Sequence, residues 1–219
     1  ISIDSGVPES APALTVNRLC GSGLQAIVSA IQLIQLGDAK ITLAGGVEIM
    51  SKSGYLVPAM RWGGRLGDAK MTDMLIGALH DPFGLGHMGI TAENVSKDYE
   101  INREMMDNFA LSSQQKAFNA IDKGYFSDQI TSIEIKKRKE KISFKIDEHI
   151  RPNTKIENLS ALKPAFDPNG NVTAGNSSGI NDGAAALILA KEEEAMKNIK
   201  KPLAKIVSYG FGGVPARIM

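Results

Sequence analysis

Cys20 is the single cysteine of the 219 residues and the first candidate for chemistry. It follows a short apolar run and precedes residues 24–36, an apolar segment that predicts a helix ending at Gly37. Gly21 and Gly23 relieve crowding in the turn, so that a substrate can approach the backbone closely. Unpaired N–H groups at the start of a helix favour a thiolate and can hold a developing oxyanion. We therefore interpret Cys20 as a nucleophile.

Other interpretations of these residues stay open at this point. Most lone cysteines are small buried hydrophobic residues, and only the glycine-bracketed turn favours catalysis here. His87, between Gly86 and Gly89, is more readily a structural hydrogen-bonding residue than a base. Arg151 suits a phosphate or merely a carboxylate. The polar, glycine-rich residues 171–183 are also compatible with simple turn chemistry.

Composition and charge narrow the class of protein. Hydrophobic residues make up 43% and charged residues 22%, which is ordinary for a globular chain. The net charge of +1 does not indicate nucleic acid or an anionic membrane surface as a partner. One cysteine excludes an internal disulfide and indicates a reducing compartment, so we expect a cytoplasmic protein. The histidines lack the paired spacing of a zinc site, and we expect no metal.

The elements around Cys20 predict an α/β fold. Residues 13–19 form a short apolar run that predicts a buried strand, and residues 24–36 have apolar side chains on nearly every side, which predicts an enclosed helix. Residues 41–44 predict the next strand, closing on Gly45 and Gly46. This βαβ order predicts a parallel sheet that is covered on both faces.

A long insertion is expected from about residue 49. Within it, residues 92–99 predict a short helix, and Asn102 is a plausible N-cap for a second helix that ends at Gly124. Residues 130–146 alternate around a basic run and predict a charged β-hairpin, whose basic residues most often form a solvated turn.

Regular structure is expected again after the insertion. Residues 183–190 predict a strand of central-sheet type. Three glutamates, residues 192–194, then open a helix, where acidic side chains suit the helix dipole. Residues 202–209 predict the start of a further strand.

Four motifs in this order resemble those of thiolases, and the likeness is strongest to the acetyl-CoA acetyltransferase branch of that family. The motifs are Val16-Asn17-Arg18-Leu19-Cys20-Gly21-Ser22-Gly23, Ala44-Gly45-Gly46-Val47-Glu48-Ile49-Met50-Ser51, His87-Met88-Gly89-Ile90-Thr91-Ala92-Glu93-Asn94 and Thr173-Ala174-Gly175-Asn176-Ser177-Ser178-Gly179-Ile180-Asn181-Asp182-Gly183-Ala184-Ala185. The resemblance runs over essentially the whole chain, so it is far more specific than any single motif.

The resemblance implies a partial thiolase-like layered α/β fold. The amino-terminal half lacks its first βαβ unit, and the inserted loop domain and the first strand of the carboxy-terminal half are present. The implied domains are part of the amino-terminal half (1–48), the loop domain that covers CoA (49–180), the closing strand and helix of the amino-terminal half (181–200) and the start of the carboxy-terminal half (201–219).

The resemblance also implies a Claisen condensation of two acetyl-CoA molecules, and the reverse thiolysis, in lipid metabolism. In the family, the cysteine that matches Cys20 takes the acyl group as a thioester, which the α-carbon of a second acyl-CoA then attacks. The implied partners are acetyl-CoA, acetoacetyl-CoA and CoA, which are substrates, so no cofactor is expected. The intact protein is expected to be a homodimer or homotetramer, without a nucleic-acid or membrane partner.

Seven positions match residues that line the CoA site of thiolases. The apolar ones suit the pantetheine arm, Ser178 suits a hydrogen bond to that arm, and Arg151 suits the nucleotide end. His87 would help to place the pantetheine or the second acyl group. The seven are Leu79, His87, Met88, Arg151, Phe166, Ala174 and Ser178.

The sequence departs from the family in lacking three motifs. Thiolases have a histidine in Gly-His-Pro, a second cysteine in Cys-x-Gly-Gly-Gly and an Asn-Glu-Ala-Phe motif, and none of them occurs here. We therefore expect an internal piece of a longer chain. By itself it should be inactive in condensation and prone to aggregate, because the helix of residues 24–36 would lose part of its cover.

Three alternatives remain. A 3-ketoacyl-CoA thiolase of fatty-acid degradation has the same cysteine motif, although His87-Met88-Gly89 favours the short-chain enzyme. A CoA-binding or dimerisation module without catalysis would retain the loop domain. A single-cysteine redox or acyl-carrier protein would leave the attached CoA-covering domain unexplained.

Overall fold

The computed structural model describes residues 1–137, 140–198 and 202–219. Its helices are α1 Ser22–Leu36, α2 Met74–Ala78, α3 Met88–Asp98, α4 Arg103–Asp122, α5 Ile156–Ser160 and α6 Glu192–Asn198. Its strands are β1 Ile41–Ile49, β2 Tyr55–Leu56, β3 Thr72–Asp73, β4 Ile133–Lys137, β5 Glu140–Phe144 and β6 Asp182–Ala190. Short 3₁₀ helices occupy Met50–Lys52, Pro58–Arg61 and Ala216–Ile218.

The chain divides into two compact units, each built from two stretches of sequence. Unit 1 comprises Ile1–Ser53 and Asp182–Gly212, and unit 2 comprises Gly54–Asn181 and Gly213–Met219. The assignment of thiolase domains to residues 1–48, 49–180, 181–200 and 201–219 stays a prediction.

In unit 1, α1 ends where the sequence predicts. Gly37 adopts a left-handed conformation, with φ of +86°, and its N–H donates to carbonyls in the last turn. The apolar pattern of α1 is that of an enclosed helix, but only Val28 and Ala30 are buried. Leu24 and Leu36 are 74% and 76% exposed, so the predicted enclosure was wrong for these residues.

By length and composition alone, the apolar segment Leu19–Leu36 is able to span a membrane. The core helix of a soluble protein passes the same test, because it too is apolar on most sides. This stretch therefore adds only weak support for a membrane segment.

The sheet of unit 1 differs from the predicted one. β1 pairs with β6 in an antiparallel ladder, from Ile41 opposite Ala190 to Ile49 opposite Asp182, so the predicted parallel βαβ sheet was wrong. β1 also continues through the two glycines at which we expected it to close. Because the pair has no further strand beside it among the described residues, most of β6 is exposed instead of central.

Two other predicted strands of unit 1 are wrong. Residues 13–19 and 202–209 lie outside helices and strands, and the first stretch contributes only an isolated bridge between Arg18 and Cys20. A strand needs a neighbour for its ladder of hydrogen bonds, and a single apolar run does not supply one. Side chains hold the second stretch instead, since Gln32 Nε2 donates to the Tyr209 hydroxyl at 3.0 Å.

Ser51 and Asp182 are hydrogen-bonded to each other at the end of the strand pair where β1 ends and β6 begins. The backbone N–H and the hydroxyl of Ser51 both donate to the Asp182 carboxylate, at 2.9 Å and 2.5 Å. These bonds, the hydroxyl bond first, lower the pKa of Asp182 below its usual value. The carboxylate therefore stays ionised through the neutral range and keeps accepting both bonds.

In unit 2 the helices begin at the predicted kinds of residue. Asn102 caps α4, its Oδ1 accepting from the Met105 N–H at 2.9 Å, as predicted. The helix predicted over 92–99 starts four residues earlier, at Met88, because His87 caps it. The predicted hairpin is confirmed by the antiparallel β4–β5 pair, and the part of its basic run at 138–139 lies outside the described residues.

Gly45→Ala should destabilise the β1–β6 pair, because an added Cβ would lie 2.9 Å from the backbone oxygen of Ala185. We expect a loss of about 1–3 kcal/mol in the free energy of unfolding of the intact protein, measured in urea. Gly183→Ala, in the partner strand, is the matched control, since its Cβ would meet nothing within 4 Å. Equal losses of unfolding free energy in the two variants would contradict the conclusion that close packing at Gly45 stabilises the β1–β6 pair.

Candidate active site

Cys20 lies in a turn that is closed by hydrogen bonds on both sides. The Leu19 N–H donates to Asn17 Oδ1 at 2.9 Å, and the Arg18 N–H donates to Ser22 Oγ at 2.8 Å. The Ser22 hydroxyl in turn donates to the Leu19 carbonyl at 2.7 Å. These bonds fix the backbone that presents Cys20, whose thiol is free and whose residue is exposed.

The turn also contains backbone strain. Leu19 has φ of +47°, in the left-handed region that costs a residue with a side chain about 1–2 kcal/mol. Strain of this kind collects at functional sites, where the surrounding structure holds it in place. Gly21 is the N-cap of α1 and makes no side-chain cap, while the N–H groups of Gly21 and Ser22 donate to the carbonyls of Arg18 and Leu19, each at 3.0 Å. An exposed cysteine just before the positive end of a helix is an arrangement that favours a thiolate nucleophile.

In unit 2, His87 caps α3 with its ring. Nδ1 accepts from the Gly89 N–H at 3.0 Å, so the proton of the neutral ring lies on Nε2. The ring stacks on Phe166, with centroids 4.6 Å apart and planes at 19°. Burial, and then the nearby His80, lower the pKa of His87 below 6.5. His87 is therefore a neutral imidazole with one N–H to donate at pH 7.

Four of the seven predicted CoA-site residues form one cluster around this ring. The Met88 N–H donates to the Leu79 carbonyl at 2.8 Å, which joins both residues to His87. Phe166 closes the cluster by packing against Gly89, where any added Cβ would overlap the phenyl ring. The cluster offers apolar surface with a single polar N–H, a combination that suits a pantetheine arm.

Ala174 and Ser178 lie on the loop before β6, and two acids of unit 2 anchor this loop. Glu93 is the first of them. Its Oε2 accepts from the Asn171 N–H at 2.9 Å and its Oε1 from the Val172 N–H at 2.7 Å. A carboxylate that accepts two backbone bonds holds the start of the loop against α3.

Asp107 is the second acid, and its side chain is only 1% exposed. Its Oδ1 accepts from Asn176 Nδ2 at 3.0 Å and its Oδ2 accepts from Arg103 Nε at 2.8 Å. Asn176 Oδ1 also accepts from the Thr173 N–H at 2.7 Å, within the loop itself. The buried Asp107, paired with the half-buried Arg103 on α4, therefore fixes the middle of the loop, between Ala174 and Ser178.

A cleft of about 310 Å³ lies between one face of α4 and two loops of unit 2. Ser178 lines this cleft, and Arg151 is next to it, since its backbone N–H donates to the lining residue Gln114 at 2.8 Å. The cleft is lined by Phe109, Ala110, Ser113, Gln114, Ala117, His149, Ile150, Gly175, Asn176, Ser177 and Ser178.

The structure thus arranges the predicted site residues in separate local groups. Leu79 and Met88 are joined by a hydrogen bond and His87 stacks on Phe166, while Ser178 lines the cleft on α4 and Arg151 lies next to it. Cys20 belongs to unit 1. Their roles in binding and catalysis stay predictions.

Sequence reasoning missed the anchoring acids. The sequence does contain a signal for the role of Asp107. It is a charged residue among apolar residues of the predicted helix, and it lies four residues after Arg103, a spacing that lets the two side chains pair. Glu93 had been quoted only as part of a motif. The described residues contain no group of three or more His, Cys, Asp or Glu side chains that could hold a metal ion.

Two glycine spacings in unit 2 match known motifs but have a different structural context. Residues 84–89 fit Gly-x-Gly-x-x-Gly and lead into the first turn of α3, yet the described residues just before them form no strand. Residues 175–179 fit Gly-x-Ser-x-Gly, yet they lead into β6 and not into a helix. A dinucleotide fingerprint and a nucleophile elbow both need strand, turn and helix in that order, so neither spacing carries its usual function.

Comparison with known proteins gives one consistent result. The family model described as "Thiolase, N-terminal domain" matches residues 1–193. A beta-ketothiolase of Cupriavidus necator is 53% identical over 219 residues, which cover 100% of this chain and 56% of the relative. The chain spans about half the length of the curated relatives it matches.

Solved structures agree in fold. The crystal structure of the Bacillus anthracis acetyl-CoA acetyltransferase superposes with a TM-score of 0.94 at 45% identity, covering 99% of this chain and 55% of the other. The human mitochondrial 3-ketoacyl-CoA thiolase in complex with CoA superposes with a TM-score of 0.84 at 44% identity, covering 90% of this chain and 49% of the other. The expected partial thiolase-like fold is thereby confirmed.

Asp107→Asn should loosen the loop that contains Ala174 and Ser178. The variant keeps an oxygen for Asn176 but removes the charge that pairs with Arg103, and we expect a loss of about 1.5–3 kcal/mol in the free energy of unfolding. The amide protons of the anchored loop should also exchange faster with solvent.

Asp122→Asn is the matched control, because Asp122 is exposed at the other end of α4. We expect it to change the free energy of unfolding by less than about 0.5 kcal/mol. If the loop amides exchange equally fast in both variants, Asp107 does not anchor the loop.

Proposed function

This chain belongs to the thiolase family, and on that premise we propose that it supplies the nucleophile and the CoA-covering surface of an acetyl-CoA acetyltransferase. The observation that carries the proposal is the exposed Cys20 in its hydrogen-bonded turn just before the N-terminus of α1. Exposure lets a thioester reach the sulfur, and the positive end of the helix dipole favours both the thiolate and the oxygen that becomes negative during the attack.

The chemistry proceeds in two transfers. In the first, the sulfur of Cys20 bonds to the carbonyl carbon of acetyl-CoA, the bond from that carbon to the CoA sulfur breaks, and CoA leaves with a proton. In the second, the α-carbon of another acetyl-CoA loses a proton and attacks the acyl-cysteine. Acetoacetyl-CoA forms, and the sulfur of Cys20 is released. Thiolysis is the same sequence in reverse.

Unit 2 is proposed to hold the CoA thioester. The cluster around His87 would line the pantetheine arm, Ser178 would bond to the arm, and Arg151 would meet the negatively charged nucleotide end. This proposal is supported by the likeness to the human mitochondrial 3-ketoacyl-CoA thiolase, whose structure contains CoA. We also propose that the intact protein is a cytoplasmic homodimer or homotetramer that needs no cofactor beyond its CoA substrates.

The 219 residues by themselves are proposed to complete no condensation. They contain neither the Gly-His-Pro histidine nor a second cysteine, the groups that activate the nucleophile and move protons in the family. The exposed apolar side chains of α1 and β6 would also favour aggregation of the isolated chain.

Loss of Cys20 should abolish acyl transfer in the intact protein. Incubation with acetyl-CoA should add one acetyl group to the peptide that contains Cys20, as read by mass spectrometry. Cys20→Ala should remove that mass shift and lower kcat at least about 1,000-fold, because covalent catalysis is lost. An acetylated peptide elsewhere, together with an active Cys20→Ala variant, would exclude this mechanism.

Chain length separates acetyl-CoA acetyltransferase from the second candidate, a 3-ketoacyl-CoA thiolase. That candidate is favoured by the human relative of that name, whereas the His87-Met88-Gly89 motif favours the short-chain enzyme. We expect the intact protein to cleave acetoacetyl-CoA with kcat/KM at least about tenfold above that for a C8 substrate, a difference of about 1.4 kcal/mol. The opposite order would support the 3-ketoacyl-CoA thiolase.

A further inference from the structure

His80 and His87 face each other across a short closed loop of unit 2. The two residues form an isolated antiparallel bridge, and their rings meet edge to face with centroids 5.2 Å apart. Asp81, which is buried, closes the loop by accepting from the N–H groups of Phe83 at 2.7 Å and Leu85 at 3.2 Å. The pairing of the two rings is therefore built into the backbone.

Backbone groups assign opposite tautomers to the two rings. Nδ1 of His80 lies 2.8 Å from the Ile76 carbonyl, and because a carbonyl only accepts, this nitrogen holds the proton. Nδ1 of His87 accepts from Gly89 and holds none. When both rings are neutral, Nε2 of His80 is an acceptor and Nε2 of His87 is a donor.

Several features oppose a second proton on His87. Such a proton would sit on Nδ1 and break the bond from the Gly89 N–H, and a cation is unfavourable at the positive end of α3. Burial and the neighbouring His80 both disfavour the charged ring. Phe166, which packs on the ring of His87, has no negative charge that could stabilise a protonated imidazole.

We propose that His80 is a positioning residue that keeps His87 a neutral imidazole, whose Nε2–H donates a hydrogen bond to a carbonyl oxygen of a bound CoA thioester. This inference rests on the proposed function, which places His87 in the CoA site. A neutral imidazole held by a helix N-terminus is an established way to polarise a carbonyl without a cation. The carbonyl belongs either to the thioester or to an amide of the pantetheine arm.

The test measures the dissociation constants of CoA and of acetyl-CoA for the full-length protein between pH 5 and pH 8. A Cys20→Ala background prevents acyl transfer during the measurement. Titration of the phosphates of the ligand is common to all variants and cancels in the comparison. Weaker acetyl-CoA binding on acidification with unchanged CoA binding assigns the thioester carbonyl, and parallel weakening assigns an amide carbonyl.

His80→Phe keeps a flat ring but cannot hold a proton. The pKa of His87 in the folded protein lies below 6.5, so the donor geometry is intact at pH 7 and is lost as the pH falls through that pKa. Without His80 the pKa of His87 rises, so affinity should weaken at a higher pH than in the wild type, while affinity at pH 8 stays within about twofold of wild type.

His87→Asn is the matched comparison, because asparagine is a good N-cap and does not titrate. We expect His87→Asn to bind acetyl-CoA more weakly than the wild type at pH 8. We also expect this variant to lose the decrease in affinity at acidic pH that the His80–His87 pair causes. If His80→Phe instead weakens binding equally at every pH, His80 is only a packing residue and the proposal is wrong.

Failure of this inference is distinguishable from failure of the proposed function. Acetylation of Cys20 by acetyl-CoA in the otherwise unchanged protein tests the function alone. If Cys20 is acetylated but His80→Phe does not change the pH at which affinity for acetyl-CoA decreases, only the role of His80 is overturned. If Cys20 is not acetylated, the proposed function itself is overturned.

Discussion

The buried carboxylate of Asp107 is the interaction on which the architecture of unit 2 depends. An ionised group that is 1% exposed is tolerated only where hydrogen bonds and an opposite charge replace water, and Arg103 and Asn176 supply these. Arg103 also donates to the carbonyls of Leu159 and Leu162, at 2.6 Å and 2.9 Å. One buried charge thus ties α4, the region around α5 and the loop before β6 together.

Unit 1 is organised differently, because local hydrogen bonds and not burial fix its candidate nucleophile. The turn at Cys20 is closed by Asn17, Arg18 and Ser22, all within five residues of it. The helix and strand pair behind that turn leave much apolar surface uncovered. The hydrogen bonds of these neighbouring residues hold the strained backbone at Leu19 in place.

The elements that could be predicted from the sequence are those with local signals. The N-cap Asn102 and the C-terminal Gly37 mark helix ends through bonds to residues a few positions away. The strand at residues 13–19 and the parallel sheet were wrong because strand pairing is a long-range choice, and β1 pairs with a strand more than 130 residues later. The site positions that motif resemblance implies stay predictions, and the anchoring role of Asp107 depends on a contact with Asn176, far away in the sequence.

Under the proposed function, the neutrality of His87 has a chemical consequence. CoA has several negatively charged phosphate oxygens, and a cationic side chain in the cluster around His87 would attract them as readily as the reacting carbonyl. A neutral N–H binds a carbonyl oxygen more strongly as negative charge develops on it and has little attraction for distant phosphates. Arg151, by contrast, is an exposed cation beside a separate cleft, where attraction to phosphate is useful. Unit 2 therefore places its neutral donor and this cation in different local environments, as the proposed binding of a CoA thioester, with one charged end and one reactive carbonyl, requires.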